Sequence, residues 1–146
     1  MIFRILTVLD APFLACLHKK VIHPWEKAWS AKEFSDLLHQ PSIHGISLWE
    51  EHHKVLHLKS FILYQHCDAL DILYIATHPS TRNKGYASHL MHHLIHKNLP
   101  IILDVCEKNE RAIQFYQKFG FQPLYTRKNY YIHNRNDYSA ITFYLK

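Results

Sequence analysis

Apolar residues alternate with polar ones in some stretches of the chain and recur every three or four positions in others, and the two periods divide it into elements. Met1–Leu9 alternates as a strand. Asp10-Ala11-Pro12 then reads as an N-cap with proline in the first turn of a helix reaching about Val21. Phe13, Leu14, Leu17 and Val21 form its apolar stripe, and Lys19 and Lys20 suit the negative end of its dipole. His23-Pro24-Trp25 breaks that helix, and Ser30-Ala31-Lys32-Glu33 is a capping box for a second one through Leu38. Ile43–Trp49, Val55–Tyr64 and Ala69–Thr77 follow as strands joined by the polar turns Glu50-Glu51-His52-His53 and Gln65–Asp68, which predicts consecutive antiparallel hairpins.

After Thr77 the period changes. A basic turn, His78-Pro79-Ser80-Thr81-Arg82-Asn83-Lys84-Gly85, leads into a helix over Tyr86–Lys97. A strand, Ile101–Cys106, and a helix, Asn109–Phe119, closed by Gly120, come next. Phe121–Tyr131 and Tyr138–Leu145 are rich in aromatic and β-branched residues around the turn Asn134-Arg135-Asn136-Asp137, a closing hairpin. The pattern predicts an α/β (α+β) sandwich: a mixed, mostly antiparallel central sheet of about seven strands with about four flanking helices. Its 146 residues suffice for one sizeable core and not for two, so residues 1–146 are read as a single domain.

Composition excludes more than it selects. Hydrophobic residues make up 48% and charged ones 20%, which is the globular range. No run approaches the ~20 apolar residues that span a bilayer, so no membrane partner is expected. The N-terminus has no apolar block and no small-residue cleavage site, so a cytoplasmic address is expected. Cys16, Cys67 and Cys106 are odd in number, widely spaced and set among apolar neighbours, which reads as buried free thiols; a catalytic Cys–His pair is the sharper alternative. The formal charge of +5 is uneven: residues 1–74 hold 7 Lys+Arg against 8 Asp+Glu, and residues 75–146 hold 10 against 4. No block of five like charges occurs, so direct nucleic-acid binding is not expected.

The basic half carries the candidate chemistry. Gly85 stands where a helix begins, after Arg82 and Lys84; free amide groups, the positive helix end and two cations all favour an anion there. In the following helix Ala87, Leu90, Met91, Leu94 and Ile95 make a buried stripe, while His89, His92, His93 and His96 gather opposite. No carboxylate joins those histidines, so the face reads as solvated and no metal is expected.

Arg82-Asn83-Lys84-Gly85-Tyr86-Ala87 resembles the R/Q-x-x-G-x-G/A pyrophosphate loop of the GNAT N-acetyltransferases. Asn109-Glu110-Arg111-Ala112-Ile113-Gln114-Phe115-Tyr116-Gln117-Lys118-Phe119-Gly120-Phe121 resembles that superfamily's N-x-x-A-x-x-[LF]-Y-x-K-x-G-F segment. His23-Pro24-Trp25 and Tyr125-Thr126-Arg127-Lys128-Asn129-Tyr130-Tyr131 are similar to the RimI-like enzymes, which acetylate the N-terminal alanine of a small-subunit ribosomal protein. The resemblance implies acetyl-CoA as cosubstrate, gripped by Arg82, Asn83, Lys84, Gly85, Tyr86, Ala87 and Ser88, with Asn109 beside it. It also implies that backbone groups of Ile75, Ala76 and Thr77 pair with the pantetheine arm and help polarise the thioester carbonyl.

For the proton donor to the leaving thiolate the resemblance implies Tyr116. Read from the residues alone, Tyr116 also belongs to a packing stripe with Ala112, Ile113 and Phe119. The general base departs from the family pattern. RimI-like enzymes carry glutamate in L-E-V where this chain has Leu103-Asp104-Val105, and a second family glutamate matches Asp71. Each aspartate loses one methylene of reach, which a water relay bridges, so Asp104 is the expected base with Asp71 in reserve.

A peptide α-amine has a pKa of about 7.7–8.0 against about 10.4 for lysine, so a shortened base suits an N-terminal acceptor better than a lysine. A protein N-terminus is therefore the expected acceptor, and the RimI-like resemblance implies that of a ribosomal protein as one case. The alternatives are a small-molecule amine and a catalytically weak CoA-binding module.

Overall fold

The computed structural model describes residues 1–133 and 136–146. Its strands are β1 (Ile2–Ile5), β2 (Ile43–His52), β3 (Val55–His66), β4 (Leu70–Thr77), β5 (Ile101–Cys106), β6 (Gln122–His133) and β7 (Asn136–Leu145). They form one sheet in the order β1-β2-β3-β4-β5-β7-β6, antiparallel except for the β4–β5 pair. The expected mixed α/β architecture is what the chain adopts, with α1 (Ala11–Val21), α2 (Ala31–Leu38), α3 (Tyr86–Ile95) and α4 (Glu110–Lys118) flanking the sheet. Of the turn expected at Asn134-Arg135-Asn136-Asp137, Asn134 and Arg135 lie outside the described residues.

Each face of the sheet has its own core. On one side Leu90, Met91 and Leu94 of α3 and Tyr116 of α4 pack on Leu48, Ile62, Ile72, Leu103 and Phe143. On the other, Leu14 and Leu17 of α1 and Phe34 of α2 cover Trp49, Phe61, Leu63 and Ala76. The expected α3 stripe is the buried one, and its four histidines face outward.

Several local expectations are corrected. The first strand ends at Ile5 rather than Leu9, because Thr7 starts a tight 3-10 turn over Val8–Asp10. Asp10 accepts the Thr7 N–H (2.9 Å) and so caps that turn; it gives no side-chain cap to α1, which continues from it. Phe13 is half exposed, its ring edge-on to Trp49 at 5.4 Å, and buried His18 takes its place on the packed face. The first hairpin turns at His53 and Lys54, both with positive φ (52° and 66°), so Glu50 and Glu51 belong to β2. Two such residues make the turn whose twist matches that of the flanking strands. Cys16 and Cys67 are exposed; Cys106 alone of the three cysteines is buried. Cys16 lies on the outer side of α1 and Cys67 in the β3–β4 turn, so apolar neighbours in sequence did not carry them inside.

Two irregularities in β4 shape the middle of the sheet. Tyr64 of β3 opposes Ile72 while its neighbour Leu63 opposes Tyr74, so Leu73 is an extra residue in β4. A bulge reverses the inward and outward alternation beyond it. Leu70, Ile72 and Ile75 accordingly join the α3/α4 core, whereas Tyr74 and Ala76 join the α1/α2 core. The second irregularity is a parting of strands: β4 and β5 pair only through Leu70↔Ile101, Asp71↔Ile102 and Ile72↔Leu103. Beyond Ile72 the two strands diverge, leaving β4 an unpaired edge on the β5 side.

Candidate active site

The opening between the diverging strands is a cleft of about 1260 Å³ that runs through the molecule from the α3 and α4 N-termini to the α1–α2 loop. Its volume exceeds the ~300–1,000 Å³ usual for a single small ligand and has room for two substrates.

One end of the cleft is built at the start of α3. Gly85 is the helix N-cap in the left-handed conformation (φ 83°, ψ 8°), and a Cβ placed on it would meet nothing within 4 Å. Its lack of a side chain thus leaves open space in front of the helix. The first internal bond of α3 runs from His89 N–H to Gly85 O (2.9 Å), so the amides of Tyr86, Ala87 and Ser88 lack helical partners. Upstream, Asn83 is also left-handed (φ 61°), and buried Thr81 ties the loop down by donating to His78 O at 3.0 Å. Of the loop residues expected to grip the cosubstrate, Arg82, Asn83, Gly85, Tyr86, Ala87 and Ser88 line the cleft. Lys84 does not: it is exposed, its N–H turned back to Thr81 O (3.3 Å) by the left-handed turn before it. Tyr86 contributes its backbone, since its ring is buried in the α3/α4 core and its hydroxyl is bonded to Glu50.

The cleft wall opposite is the free edge of β4, where Ile75, Ala76 and Thr77 pair with β3 on one side only. A strand bonded on one edge presents its remaining N–H and C=O groups to whatever lies along the other. Asn109 caps α4 through its Oδ1, which accepts the Ala112 N–H at 3.2 Å, and it too lines the cleft. Open volume at Gly85, free amides and a cation at Arg82 fit a pyrophosphate, and an unpaired strand edge fits the amide-bearing arm of CoA.

Tyr116 sits where the α4 motif closes. Phe121 N–H bonds to Tyr116 O (3.2 Å) and Gly120 N–H to Gln117 O (3.0 Å), with Gly120 at φ 94°. This is a Schellman cap, and its customary apolar contact is the Tyr116 ring against Phe121, 5.6 Å between centroids. The spacing Tyr-x-x-x-Gly-Phe therefore has a structural reason as well as any chemical one. Tyr116 is buried, lines the cleft, and burial pushes its phenol well above the ordinary value.

The other half of the cleft lies on the α1/α2 face and is acidic. Asp71 and Asp104 both face it. Asp104 accepts from the Thr142 hydroxyl and pairs with Arg127 (Nη1 to Oδ2, 3.8 Å). Arg127 in turn lies over the rings of Tyr125 (5.6 Å) and Tyr130 (5.4 Å). Burial raises the Asp71 pKa, repulsion from Asp104 adds to this, and Arg127 opposes it. The walls are aromatic: Trp25, stacked on His23 at 4.6 Å, with Tyr130 and Tyr131 across the cleft.

Three groups here were missed in the sequence. Glu26 accepts the His23 N–H (3.0 Å), lines the cleft together with Tyr74, and has its pKa raised by burial. Tyr74 escaped because strict alternation assigns it to the wrong face; the bulge at Leu73 puts it here. His18 lines the floor, with its Nε2 3.4 Å from Lys27 O and its buried Nδ1 without a partner among the described residues. Burial lowers its pKa. Among the described residues no cluster of three or more His, Cys, Asp or Glu side chains could hold a metal ion, and no helix is long and apolar enough to cross a membrane.

Known proteins share this fold. In fold, the chain is similar to the ribosomal-protein-S18-alanine N-acetyltransferase of Escherichia coli, with TM-score 0.79, 23% identity, and 99% of this chain and 93% of that one covered. It is similar also to Arabidopsis thaliana NAA60 in complex with acetyl-CoA, with TM-score 0.83, 16% identity, and 99% and 97% covered. In sequence it is 45% identical over 49 residues to N-alpha-acetyltransferase 50 of Danio rerio. That match takes in 24% of this chain and 29% of the relative, so it spans less than a third of the relative's length. The family model described as an acetyltransferase (GNAT) domain matches residues 44–123, from β2 through the β4–β5 cleft and α4 into β6, and on that match the chain belongs to the GNAT acetyltransferase family.

Proposed function

We propose that this GNAT N-acetyltransferase moves the acetyl group of acetyl-CoA onto the N-terminal α-amine of a protein. The observation that carries the reading is the division of one cleft into a cationic, amide-rich end and an acidic, aromatic-walled end that meet where β4 leaves β5. The first end fits a pyrophosphate-bearing donor, and the second fits an ammonium followed by a few residues of extended chain.

In this reading Arg82, Asn83, Gly85, Ala87 and Ser88 hold the pyrophosphate, with Tyr86 contributing backbone. Ile75, Ala76 and Thr77 align the pantetheine arm, and Asn109 borders it. The free β4 amides point toward where negative charge grows on the carbonyl oxygen, which is the position such donors need. Tyr116 gives its proton to the departing sulfur. Its raised pKa keeps it protonated throughout the physiological range and so available as a donor. Asp104, with Asp71 beside it, is the carboxylate that draws a proton from the amine through water. Arg127 steadies Asp104, and its stacking on Tyr125 and Tyr130 couples the base to the acceptor wall.

An α-amine asks less of a base than lysine does, because its pKa of about 7.7–8.0 leaves a sizeable neutral fraction near pH 7. Aspartates set back by one methylene fit that lighter task. A ribosomal protein is a fitting partner, since the basic C-terminal half suits an RNA-rich assembly, and a cytoplasmic site of action fits such a partner. The test is an acetyl-CoA turnover assay against alanine- and serine-starting peptides, lysine peptides with blocked N-termini, and polyamines. N-terminal peptides should be acetylated with the highest kcat/KM. A preference for polyamines or for internal lysine would overturn the assignment, and CoA binding without turnover on any amine would leave a binding module.

A further inference from the structure

The three carboxylates of the acceptor end are not held alike. Asp104 is engaged by Thr142 and Arg127, and Asp71 lies at the base of the cleft, where β4 and β5 are still paired. Glu26 hangs into the cleft from the loop between α1 and α2. There it is fixed by the His23 N–H at 3.0 Å, it shares the cleft with Tyr74, and among the described residues it has no cation within ion-pair distance. A half-buried carboxylate without a cationic partner is costly, and an incoming ammonium would supply that partner. Tyr74, Cys106, Tyr116 and Tyr131 line the same cleft. Glu26 therefore stands over the point where the strands part, on the acceptor side of the proposed proton donor.

We infer that Glu26 is a catalytic residue that binds the acceptor ammonium and takes its first proton, with Tyr74 holding the carboxylate in place. This rests on the acetyltransferase reading. An α-ammonium must lose two protons. The first leaves before the nitrogen can attack, and it passes to Glu26 and then to solvent. The nitrogen lone pair then forms the bond to the thioester carbonyl carbon, and the electrons of the C–S bond leave with sulfur. Tyr116 protonates that thiolate, Asp104 collects the second nitrogen proton through water, and this proton refills Tyr116. One proton is released per turnover, as acetylation of an ammonium requires.

The surroundings suit the task. His18 of α1 and His23 of the loop both have pKa values lowered by burial, and Arg82 further lowers that of His23. Tyr74 of β4, Cys106 of β5, Tyr116 of α4 and Tyr131 of β6 are all raised by burial and so stay neutral at ordinary pH. Burial raises Glu26 itself, while its hydrogen bonds from His23 and Tyr74 pull it back down.

The experiment is kcat/KM for an alanine-starting peptide across pH 6–9, comparing the wild type with Glu26→Gln. With Glu26 present, the ammonium and carboxylate forms react together and the profile stays level below the amine pKa until Glu26 itself protonates. Without it only the neutral amine reacts, so the wild-type advantage should be about 20-fold at pH 6.5 and fall to within about twofold at pH 9, for an amine pKa near 7.8. A ratio that does not change with pH overturns the inference, whatever its size. If Glu26→Gln fails to show the wild-type thermal shift with acetyl-CoA, Tyr74→Phe decides. Losing its hydrogen bond should move the acidic limb upward by about half a unit or more, and an unmoved limb is fatal. Wild-type enzyme inactive on every amine would sink the acetyltransferase reading and this inference with it. Wild-type turnover matched by both variants at every pH would sink the inference alone.

Discussion

Tyr116→Phe separates the two duties that one side chain carries. Its ring is the apolar partner of Phe121 in the Schellman cap and also meets Phe115 at 5.4 Å, so the phenylalanine keeps the packing and removes one O–H. The hydroxyl faces the cleft rather than a buried hydrogen-bond partner, so stability should change by less than about 1 kcal/mol. If Tyr116 protonates the leaving thiolate, kcat should drop about 10²–10⁴-fold, the usual worth of a general acid, or about 2.7–5.4 kcal/mol of barrier. KM for acetyl-CoA should hardly move, because the loop before α3 and the β4 edge are untouched. The assay is steady-state thiol release with an alanine-starting peptide, accompanied by a thermal melt. Since burial raises the phenol pKa, the wild type should show no loss of kcat from Tyr116 ionisation up to about pH 9, below even the unperturbed value near 10. A variant with kcat within about threefold of wild type would make Tyr116 a packing residue and refute the proton-donor role.

Gly85→Asp puts a carboxylate into the open space before α3 and forces a non-glycine residue to φ 83°; acetyl-CoA affinity by calorimetry should fall at least about tenfold with the melt little changed. Asp104→Asn should cut kcat about 10²-fold or more at pH 6.5 and pH 9 alike, and Asp104→Glu should preserve or raise it; Asp71→Asn proving the more damaging would exchange their roles. Gly45→Ala would bring a methyl to 2.7 Å from Leu6 Cδ1 and 2.9 Å from Leu63 Cδ2, between β2 and the α1/α2 core. That overpacking should cost about 1–3 kcal/mol in a thermal melt and leave the KM for acetyl-CoA unchanged.

Regular elements were legible because their causes are local. The α3 stripe from Ala87 to Ile95, the capping box at Ser30 and the β-branched strand Ile101–Cys106 each follow from periodicity and capping, and each stands within a few residues of its expected bounds. Gly85 and Asn109 were legible as helix-terminal residues for the same reason, since a glycine before a helix and an asparagine cap are local devices. Lys84 lies outside the cleft lining, which spacing alone cannot reveal because it follows a left-handed residue at Asn83. Glu26, Arg127 and Thr142 were invisible as site residues because their work depends on partners 48, 23 and 38 positions away, at Tyr74, Asp104 and Asp104. No window of sequence contains such a pair.

The bulge at Leu73 explains why one strand can serve two substrates. Were β4 regular, Tyr74 would stay on the face of Leu70 and Ile72, pointing into the α3/α4 core, and Ile75 would point at α1. With the extra residue, Tyr74 turns to the acceptor side to meet Glu26, while Ile75 returns to the core and anchors the edge that continues to Thr77. The same stretch has its β3 side satisfied and its β5 side free, because pairing to β5 stops at Ile72, one residue before the bulge. In the proposed reaction, side chains of this segment would address the amine and its backbone the thioester, which would set nucleophile and electrophile a single strand's width apart. On that proposal, an irregularity that weakens a sheet elsewhere would place both halves of the reaction on one strand.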